Sequence, residues 1–191
     1  LAGDTLALLG GAVHAGNLVL DVNDAGGGSM SPLTITAYGT GRAVISAGMG
    51  FGIDVLNTAG IVIRDLEIQG DGLLTNTASG IRFRNTQAGD TKLNYILIEE
   101  VEVLGFGENG ISIEGEQVNS DVFINQVEAH DCRDRGINMI GDYDQFKTGY
   151  AHQHVRVTHC EVYDIPGYNK GEHSGNGIVL ADLQDGLIEY S

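Results

Sequence analysis

Proline, tryptophan and long apolar runs are scarce or missing in this chain of 191 residues. There are 2 prolines and no tryptophan, whereas glycine occurs 29 times. Glycine favours tight turns, so this composition indicates many turns and few long helices. No apolar run reaches about eighteen residues, and we therefore predict no membrane-spanning helix.

Basic residues are also few. Lysine and arginine number 10 against 26 aspartates and glutamates, which gives a net charge of −16. Such an excess of negative charge repels phosphate backbones and anionic lipids. We therefore predict that neither nucleic acid nor a membrane is a partner.

Only two cysteines are present. Cys160 occupies an inward place in a strand pattern, whereas Cys132 falls in a turn. Because one is inward and the other lies in a loop, we do not expect a disulfide between them. The two thiols do not define a redox compartment.

One eight-residue motif recurs along the chain. It consists of an apolar residue, any residue, an apolar residue, two polar residues, an apolar residue, any residue and a final apolar residue. Its copies occupy residues 61–68, 96–103, 122–129 and 155–162, and a fifth starts at Leu187. A shorter motif, Gly-Ile followed by alternation, begins at Gly80, Gly110, Gly136 and Gly177. Two interleaved repeats in a fixed order indicate one coil copied along an axis.

Each copy supplies three short strands and no helical periodicity. Because a lone strand cannot bury its apolar face, the copies must stack and pair in parallel. Equivalent positions are spaced by 35, 26, 33 and 31 residues; they are Ile63, Ile98, Ile124, Val157 and Ile188. The pattern predicts an all-β parallel solenoid of about five to six coils.

The whole of 1–191 is predicted to form one domain, with N-terminal coils over 1–60 and regular repeats over 61–191. Both ends of the sequence fall within strand patterns, so we expect a fragment of a longer β-helix, truncated at both ends. Uncapped coils expose unpaired backbone groups, which favours end-to-end or edge association.

The two-residue bend between paired strands, followed by the Gly-Ile strand, resembles the right-handed parallel β-helix of the pectate-lyase-like superfamily. Three opening segments are similar to the first coils of its secreted bacterial members: Gly3-Asp4-Thr5-Leu6, Asn17-Leu18-Val19-Leu20 and residues 32–45. The resemblance implies a single-stranded right-handed β-helix that is secreted or held at the cell surface. It leaves the activity open, because the superfamily includes polysaccharide lyases, hydrolases, epimerases and non-catalytic surface proteins.

Two activities are excluded by missing motifs. The Asp-Pro-His-Glu run of secreted alginate epimerases does not occur, and neither does the Gly-His-Gly of polygalacturonases with its paired aspartates. A lyase of another subgroup and a member that only binds glycan both stay open.

The resemblance implies a groove along the Gly-Ile sheet, walled by the loops that precede these strands. The loops run over 69–79, 104–109, 130–135 and 163–176. Ser112 and four substrate-binding candidates point outward from the strands; the candidates are Arg82, Arg84, Glu114 and Asn138. The loops contribute Asp131, Asp134, Asp164, Glu172 and Asn176 as further substrate-binding candidates.

A polysaccharide lyase needs a base for the proton beside the sugar carboxylate and a positive group for the charge that develops. The candidate bases are Lys170 and His173, with Arg133 or Arg135 as the neutraliser and Tyr168 as the proton donor. A glycoside hydrolase needs two carboxylates instead, for which Asp131, Asp134, Asp164 and Glu172 are candidates.

We predict that the partner is a polysaccharide, with lyase action on a glycan containing uronic acid as the leading reaction. A glycoside hydrolase and a non-catalytic carbohydrate-binding or adhesive surface solenoid are the alternatives. For each candidate residue the alternative role is a solvated side chain or a local salt bridge, such as Asp134 with Arg135.

Four glutamates recur at one outward position: Glu67, Glu102, Glu128 and Glu161. Neighbouring parallel strands lie about 4.8 Å apart, so these carboxylates repel one another unless a cation or a basic side chain intervenes. Either they extend into water, or a divalent cation bridges two of them. Ca²⁺ is the predicted ion, because hard oxygen ligands suit it.

His152 and His154 alternate on one strand, which predicts that they face the same way as a transition-metal pair. No third ligand is evident in the sequence.

Overall fold

The chain winds into a parallel β-solenoid of about six turns, in a computed structural model that describes residues 1–87, 93–115, 119–141, 149–168 and 173–191. Each turn contributes one strand to each of three parallel sheets, named here A, B and C. The predicted all-β solenoid is confirmed. The only helical segments among the described residues are two short 3₁₀ turns at Val22–Asp24 and Gly28–Met30.

Sheet A has seven strands: β1 Thr5–Leu9, β4 Leu33–Tyr38, β7 Ile61–Arg64, β10 Leu93–Glu99, β13 Asn119–Asn125, β16 His152–Thr158 and β19 Leu183–Glu189. Sheet B has six: β2 Val13–Ala15, β5 Ala43–Gly48, β8 Leu66–Gly70, β11 Glu102–Leu104, β14 Glu128–His130 and β17 Glu161–Tyr163. Sheet C has six strands, and all but the first carry or follow a Gly-Ile pair: β3 Leu18–Leu20, β6 Ile53–Leu56, β9 Ile81–Asn85, β12 Asn109–Gly115, β15 Arg135–Gly141 and β18 Asn176–Leu180.

The strands pair in the register that the first four copies of the repeat predict. The fifth copy begins at Gly186, which pairs with Val155, and not at the predicted Leu187, which pairs with Arg156. On sheet A, Ile98 pairs with Ile63 on one side and with Ile124 on the other. The same file continues through Val157 to Ile188. These aliphatic side chains stack inside the coil, and each fully buried one contributes about 1.5–3 kcal/mol through loss of contact with water.

The bends between sheets A and B have a recurrent backbone conformation. Their second residues all have positive φ: Asp65 at 58°, Glu100 at 55°, Gln126 at 53° and His159 at 53°. A single left-handed residue turns the chain sharply, so one strand ends and the next begins within two residues. The polar character of these dipeptides is therefore explained by a tight, solvent-facing turn.

In four of the Gly-Ile pairs, those that begin at Gly52, Gly80, Gly110 and Gly136, the glycine sits where the backbone of the next coil comes very close. A Cβ added at Gly52 would lie 2.8 Å from the carbonyl oxygen of Gly80, and one at Gly80 would lie 2.7 Å from that of Gly110. Likewise, a Cβ at Gly110 would lie 2.8 Å from the carbonyl oxygen of Gly136, and one at Gly136 would lie 2.9 Å from that of Gly177. Real Cβ atoms do not come this close to a carbonyl oxygen, so the motif requires glycine because of the stacked backbone.

The paired orientation predicted for His152 and His154 is wrong. His152 is fully buried, whereas His154 is exposed and its ring contacts Asp121 at 3.2 Å. His154 has a φ of 52°, and Asp121 occupies the same left-handed position one coil away. This conformation interrupts the alternation of the strand and separates the two rings.

Both cysteines are free thiols buried in the core. Cys132 lies in its predicted turn and is nevertheless fully buried, and this burial raises its pKa to about 12. Its thiol is therefore an apolar filler at neutral pH. In the part of the chain that the structure describes, no helix has the length and apolarity needed to cross a membrane.

Candidate functional site

The outer face of sheet C presents two files of side chains. Arg82 pairs in register with Asp54 on one side and with Ser112 on the other, and Asn138 follows. The second file contains Arg84, Glu114 and Ile140. The candidates that sequence reasoning assigned to the Gly-Ile strands therefore share one face.

The positive charge of Arg82 is balanced by a carboxylate on this face. Its Nε and Nη2 donate to the two carboxylate oxygens of Asp54, each at 2.8 Å, and its guanidinium carbon lies 3.8 Å from the centre of the Phe51 ring. The hydrogen bonds to Asp54 raise the pKa of Arg82 despite partial burial. Arg82 thus stays charged and is held rigidly by a two-point pair.

Ser112 and Asn138 form a buried polar network rather than an open surface. Asn138 Nδ2 donates to Ser112 Oγ at 3.3 Å, and Ser112 Oγ donates to Glu114 Oε1. Only 1% of Asn138 is exposed. Asn138 therefore orients Ser112 and Glu114 in this arrangement and is enclosed by its neighbours.

Glu108 joins this cluster, although sequence reasoning did not single it out. Ser79 Oγ donates to Glu108 Oε2 at 3.3 Å. Burial raises the pKa of Glu108, the Ser79 hydrogen bond lowers it, and the nearby charge of Glu114 raises it further, with a net upward shift. The signal that could have found Glu108 is its place in the loop immediately before a Gly-Ile strand.

A shallow cavity of about 250 Å³ opens beside the cluster on the same face. Its polar lining comes from Arg84, Asn85, Thr86 and Glu114, and Ile140 supplies an apolar side chain. Charged, polar and apolar groups thus meet in one small cavity on this face.

Four of the five predicted catalytic residues meet at the loops that enter sheet C. The guanidinium carbon of Arg133 lies 4.5 Å from the centre of the Tyr168 ring, and the Tyr168 hydroxyl donates to the carbonyl oxygen of Gly107 at 2.6 Å. Arg135 donates to Asp134 at 2.9 Å and to the backbone carbonyl of His173. The His173 side chain is exposed.

These loops also explain the environment of Tyr168. The backbone amide of Tyr168 donates to Ser174 Oγ at 2.8 Å, which ties the two ends of this loop together. Burial raises the pKa of Tyr168, and the charges of Glu108 and Asp134 raise it further. The phenol therefore keeps its proton at neutral pH.

The remaining loop candidates are dispersed. Asp131 bonds to His130 at 2.8 Å at the end of sheet B, outside the Gly-Ile face. Asp164 is exposed at a turn with a φ of 52°, and Asn176 begins β18 in register with Arg135. Lys170 and Glu172 lie outside the described residues.

The outer face of sheet B carries the four glutamates in one file. Glu102 pairs in register with Glu67 and Glu128, and Glu128 pairs with Glu161. Arg42 forms a 2.9 Å salt bridge with Glu102. Burial and then the charge of Glu102 raise the pKa of Glu67, which shows the cost of stacking carboxylates.

His130 stands beside this file, two residues beyond Glu128 on the same strand. Its ring stacks on Tyr163 with the centroids 4.7 Å apart and the planes 4° from parallel, and the Tyr163 hydroxyl donates to Glu128 Oε1. Burial acts to lower the pKa of His130, but hydrogen bonds with Asp131 and Glu102 outweigh it, so the pKa is raised. Sequence reasoning missed this histidine as a neighbour of the glutamates, although the spacing Glu-Ala-His places both side chains on one face of a strand.

No family model matches the chain, and no match was found among curated proteins or among solved structures.

Proposed function

We propose that the protein is a secreted or cell-surface β-helix of the right-handed, pectate-lyase-like type and that it cleaves a polysaccharide containing uronic acid by β-elimination. The observation that carries this proposal is the position of Arg133. Its guanidinium group lies over Tyr168, and among the described residues no carboxylate is within salt-bridge distance of it.

Arg133 is better suited than Arg82 or Arg135 to receive a sugar carboxylate. Arg82 is paired with Asp54, and Arg135 is paired with Asp134. The planar fork of an arginine matches a carboxylate with two parallel hydrogen bonds. A uronate bound to Arg133 therefore lies against the Tyr168 ring and close to the loop that carries His173.

The elimination uses one base and one acid. His173 or Lys170 accepts the proton from the carbon beside the carboxylate, and the electrons of that bond form a carbon–carbon double bond. The bond from the next carbon to the glycosidic oxygen breaks, and Tyr168 gives its phenolic proton to that oxygen. No water is consumed, and the products are an unsaturated end and a new hydroxyl end.

Replacing Arg133 with alanine tests this assignment. We expect Arg133→Ala to lower the release of unsaturated ends by about 100-fold, because a charge-stabilising donor is lost from the transition state. Ultraviolet absorbance measures the release from a panel of uronate polymers, with and without chelator. Arg64→Ala, at an exposed bend of sheet A, is the matched control and should retain full activity. Full activity of Arg133→Ala would show that the assignment is wrong.

A non-catalytic glycan-binding or adhesive solenoid is the second candidate. It is supported by the internal pairing on sheet C, where Asp54 holds Arg82 and Ser112 bonds to Glu114. A surface satisfied in this way favours rigid recognition over proton transfer. No unsaturated product from any polymer, together with unchanged glycan binding by His173→Ala, would favour this second candidate.

A further inference from the structure

We propose that Glu102, Glu128 and His130, on the outer face of sheet B, form a binding site for a divalent transition-metal ion of the zinc type. Their ligand atoms all lie within 4.8 Å of one another. The site does not depend on the proposed lyase activity, because it lies on a different sheet from the Gly-Ile face.

The sheet itself assembles the three ligands. Glu102 and Glu128 are register partners on β11 and β14, and His130 projects from β14 two residues beyond Glu128. Pairing of two adjacent strands, together with the two-residue step from Glu128 to His130 on one face of β14, is therefore sufficient to place the donors together. Ligands held on strands keep their positions better than ligands held on loops.

The distance between His130 and Glu102 suits a shared ion. His130 Nε2 lies 3.4 Å from Glu102 Oε1, at the long end of the hydrogen-bond range. Two donors that are each about 2.1 Å from a tetrahedral ion stand about 3.4 Å apart. This pair can therefore take a metal between them without changing its separation.

Each ligand is oriented by a partner outside the set of three. Asp131 contacts Nδ1 of His130 at 2.8 Å, which favours the tautomer with a proton on Nδ1 and a lone pair on Nε2. Arg42 holds Oε2 of Glu102 and leaves Oε1 facing His130, while the Tyr163 hydroxyl holds Oε1 of Glu128. Such outer partners typically orient metal ligands in proteins.

The donor set distinguishes this site from the predicted Ca²⁺ site. Ca²⁺ takes six to eight oxygen ligands, whereas one imidazole nitrogen with two carboxylates suits zinc and its neighbours. Glu67 and Glu161 are not needed as ligands. Three protein ligands also leave a fourth position for water or for a polar group of a bound molecule.

The test is titration of the full chain, stripped with chelator, with Zn²⁺ alone in buffer containing physiological salt and excess Mg²⁺. Calorimetry should show one Zn²⁺ bound per chain, and Co²⁺ should give visible absorption bands from a low-coordinate site. We expect His130→Gln and Glu128→Gln each to weaken Zn²⁺ binding by at least about 100-fold. We expect Asp131→Asn to weaken it by about 10- to 100-fold, as for other outer partners.

His159→Gln is the matched control, because its ring stacks on Tyr190 at 5.1 Å but lies outside the three-ligand set. It should bind Zn²⁺ like the parent chain. Circular dichroism of each variant tests folding, and Glu128→Gln, a change at a partly exposed position, keeps the test valid if His130→Gln does not fold. Absence of stoichiometric Zn²⁺ binding by the parent chain would overturn the proposal. Binding that both Glu128→Gln and His130→Gln retain, or Ca²⁺ uptake in preference to Zn²⁺, would also overturn it.

Discussion

A single carboxyl group, Glu108, shows how stacking imposes a cost on an individual residue. Its pKa is raised from 4.5 by burial and by the charge of Glu114, against the opposing hydrogen bond from Ser79. Between the unfolded value and the raised folded value, the folded chain binds more protons than the unfolded chain. The penalty for ionising Glu108 in the folded chain is therefore absent below pH 4.5, and the free energy of unfolding falls as the pH rises through the folded pKa.

Replacing Glu108 with glutamine should remove this penalty. Glutamine can still accept the hydrogen bond from Ser79, and it carries no charge. We expect Glu108→Gln to raise the free energy of unfolding at pH 7 and to flatten its fall above pH 4.5. Urea unfolding at a series of pH values measures both effects. The exposed bend variant Glu100→Gln is the control, and a Glu108→Gln chain less stable than the parent at pH 7 would contradict the explanation.

Individual residues were the hardest part to predict from the sequence. The inward and outward positions of regular strands followed from alternation, and the Asp134–Arg135 salt bridge followed from their adjacency. The orientation of His154 was predicted wrongly because the neighbouring residues give no clear sign of a left-handed residue inside a strand. The sequence did not identify Glu108 and His130 as members of side-chain clusters, because their surroundings depend on burial by other coils, which the sequence of one coil does not specify.

At the scale of the element, the Gly-Ile motif is a requirement of strand stacking. An alanine at Gly80 would place its Cβ 2.7 Å from the Gly110 carbonyl oxygen and 2.3 Å from Val103 Cγ1. Relief would require a shift of backbone in two coils. We expect Gly80→Ala to lower the free energy of unfolding by about 1–3 kcal/mol, as overpacking does elsewhere.

Gly50→Ala is the matched control for this change. A Cβ at Gly50 would meet only the carbonyl oxygen of Ala47, at an ordinary 3.9 Å. Chemical denaturation of both variants, followed by circular dichroism, should show a loss for Gly80→Ala alone. Equal stability of the two variants would mean that the coils can separate without cost at this position.

The elements themselves were largely predictable. The spacing of the apolar positions gave the register from Ile63 to Ile188, because only one alignment buries every copy. The bends were predicted as polar dipeptides. Their left-handed second residues were not predicted, since Glu100 and Gln126 are not of the residue types enriched in this conformation.

At the scale of the whole molecule, stability depends on contacts between neighbouring coils. Ile98 is fully buried between two coils, whereas 47% of Ile188 is exposed. We expect Ile98→Ala to lower the free energy of unfolding of the 191-residue chain by about 2–5 kcal/mol. Ile188→Ala should cost clearly less, because less of its surface is removed from water. Equal losses in urea unfolding would argue against a core built coil by coil.

The fold class could be predicted for the whole chain, but its chemistry could be predicted only as a set of candidates. Interleaved repeats determine a parallel solenoid because no other arrangement buries all copies at once. The candidate sites depend on loops whose lengths differ from coil to coil, and no repeat constrains their conformation. Arg133, Tyr168 and His173 were therefore predicted as neighbours from stacking alone, without their individual contacts.

The two-residue bend has a consequence for how this protein can change over generations. Since the bends at Asp65, Glu100, Gln126 and His159 restart sheet B within one or two residues of sheet A, an insertion in the preceding or following loop does not displace the strands of the neighbouring coils. Each coil can therefore lengthen independently, as the spacings of 35, 26, 33 and 31 residues record. A single loop can therefore gain new functional residues while the strands of the solenoid keep their positions.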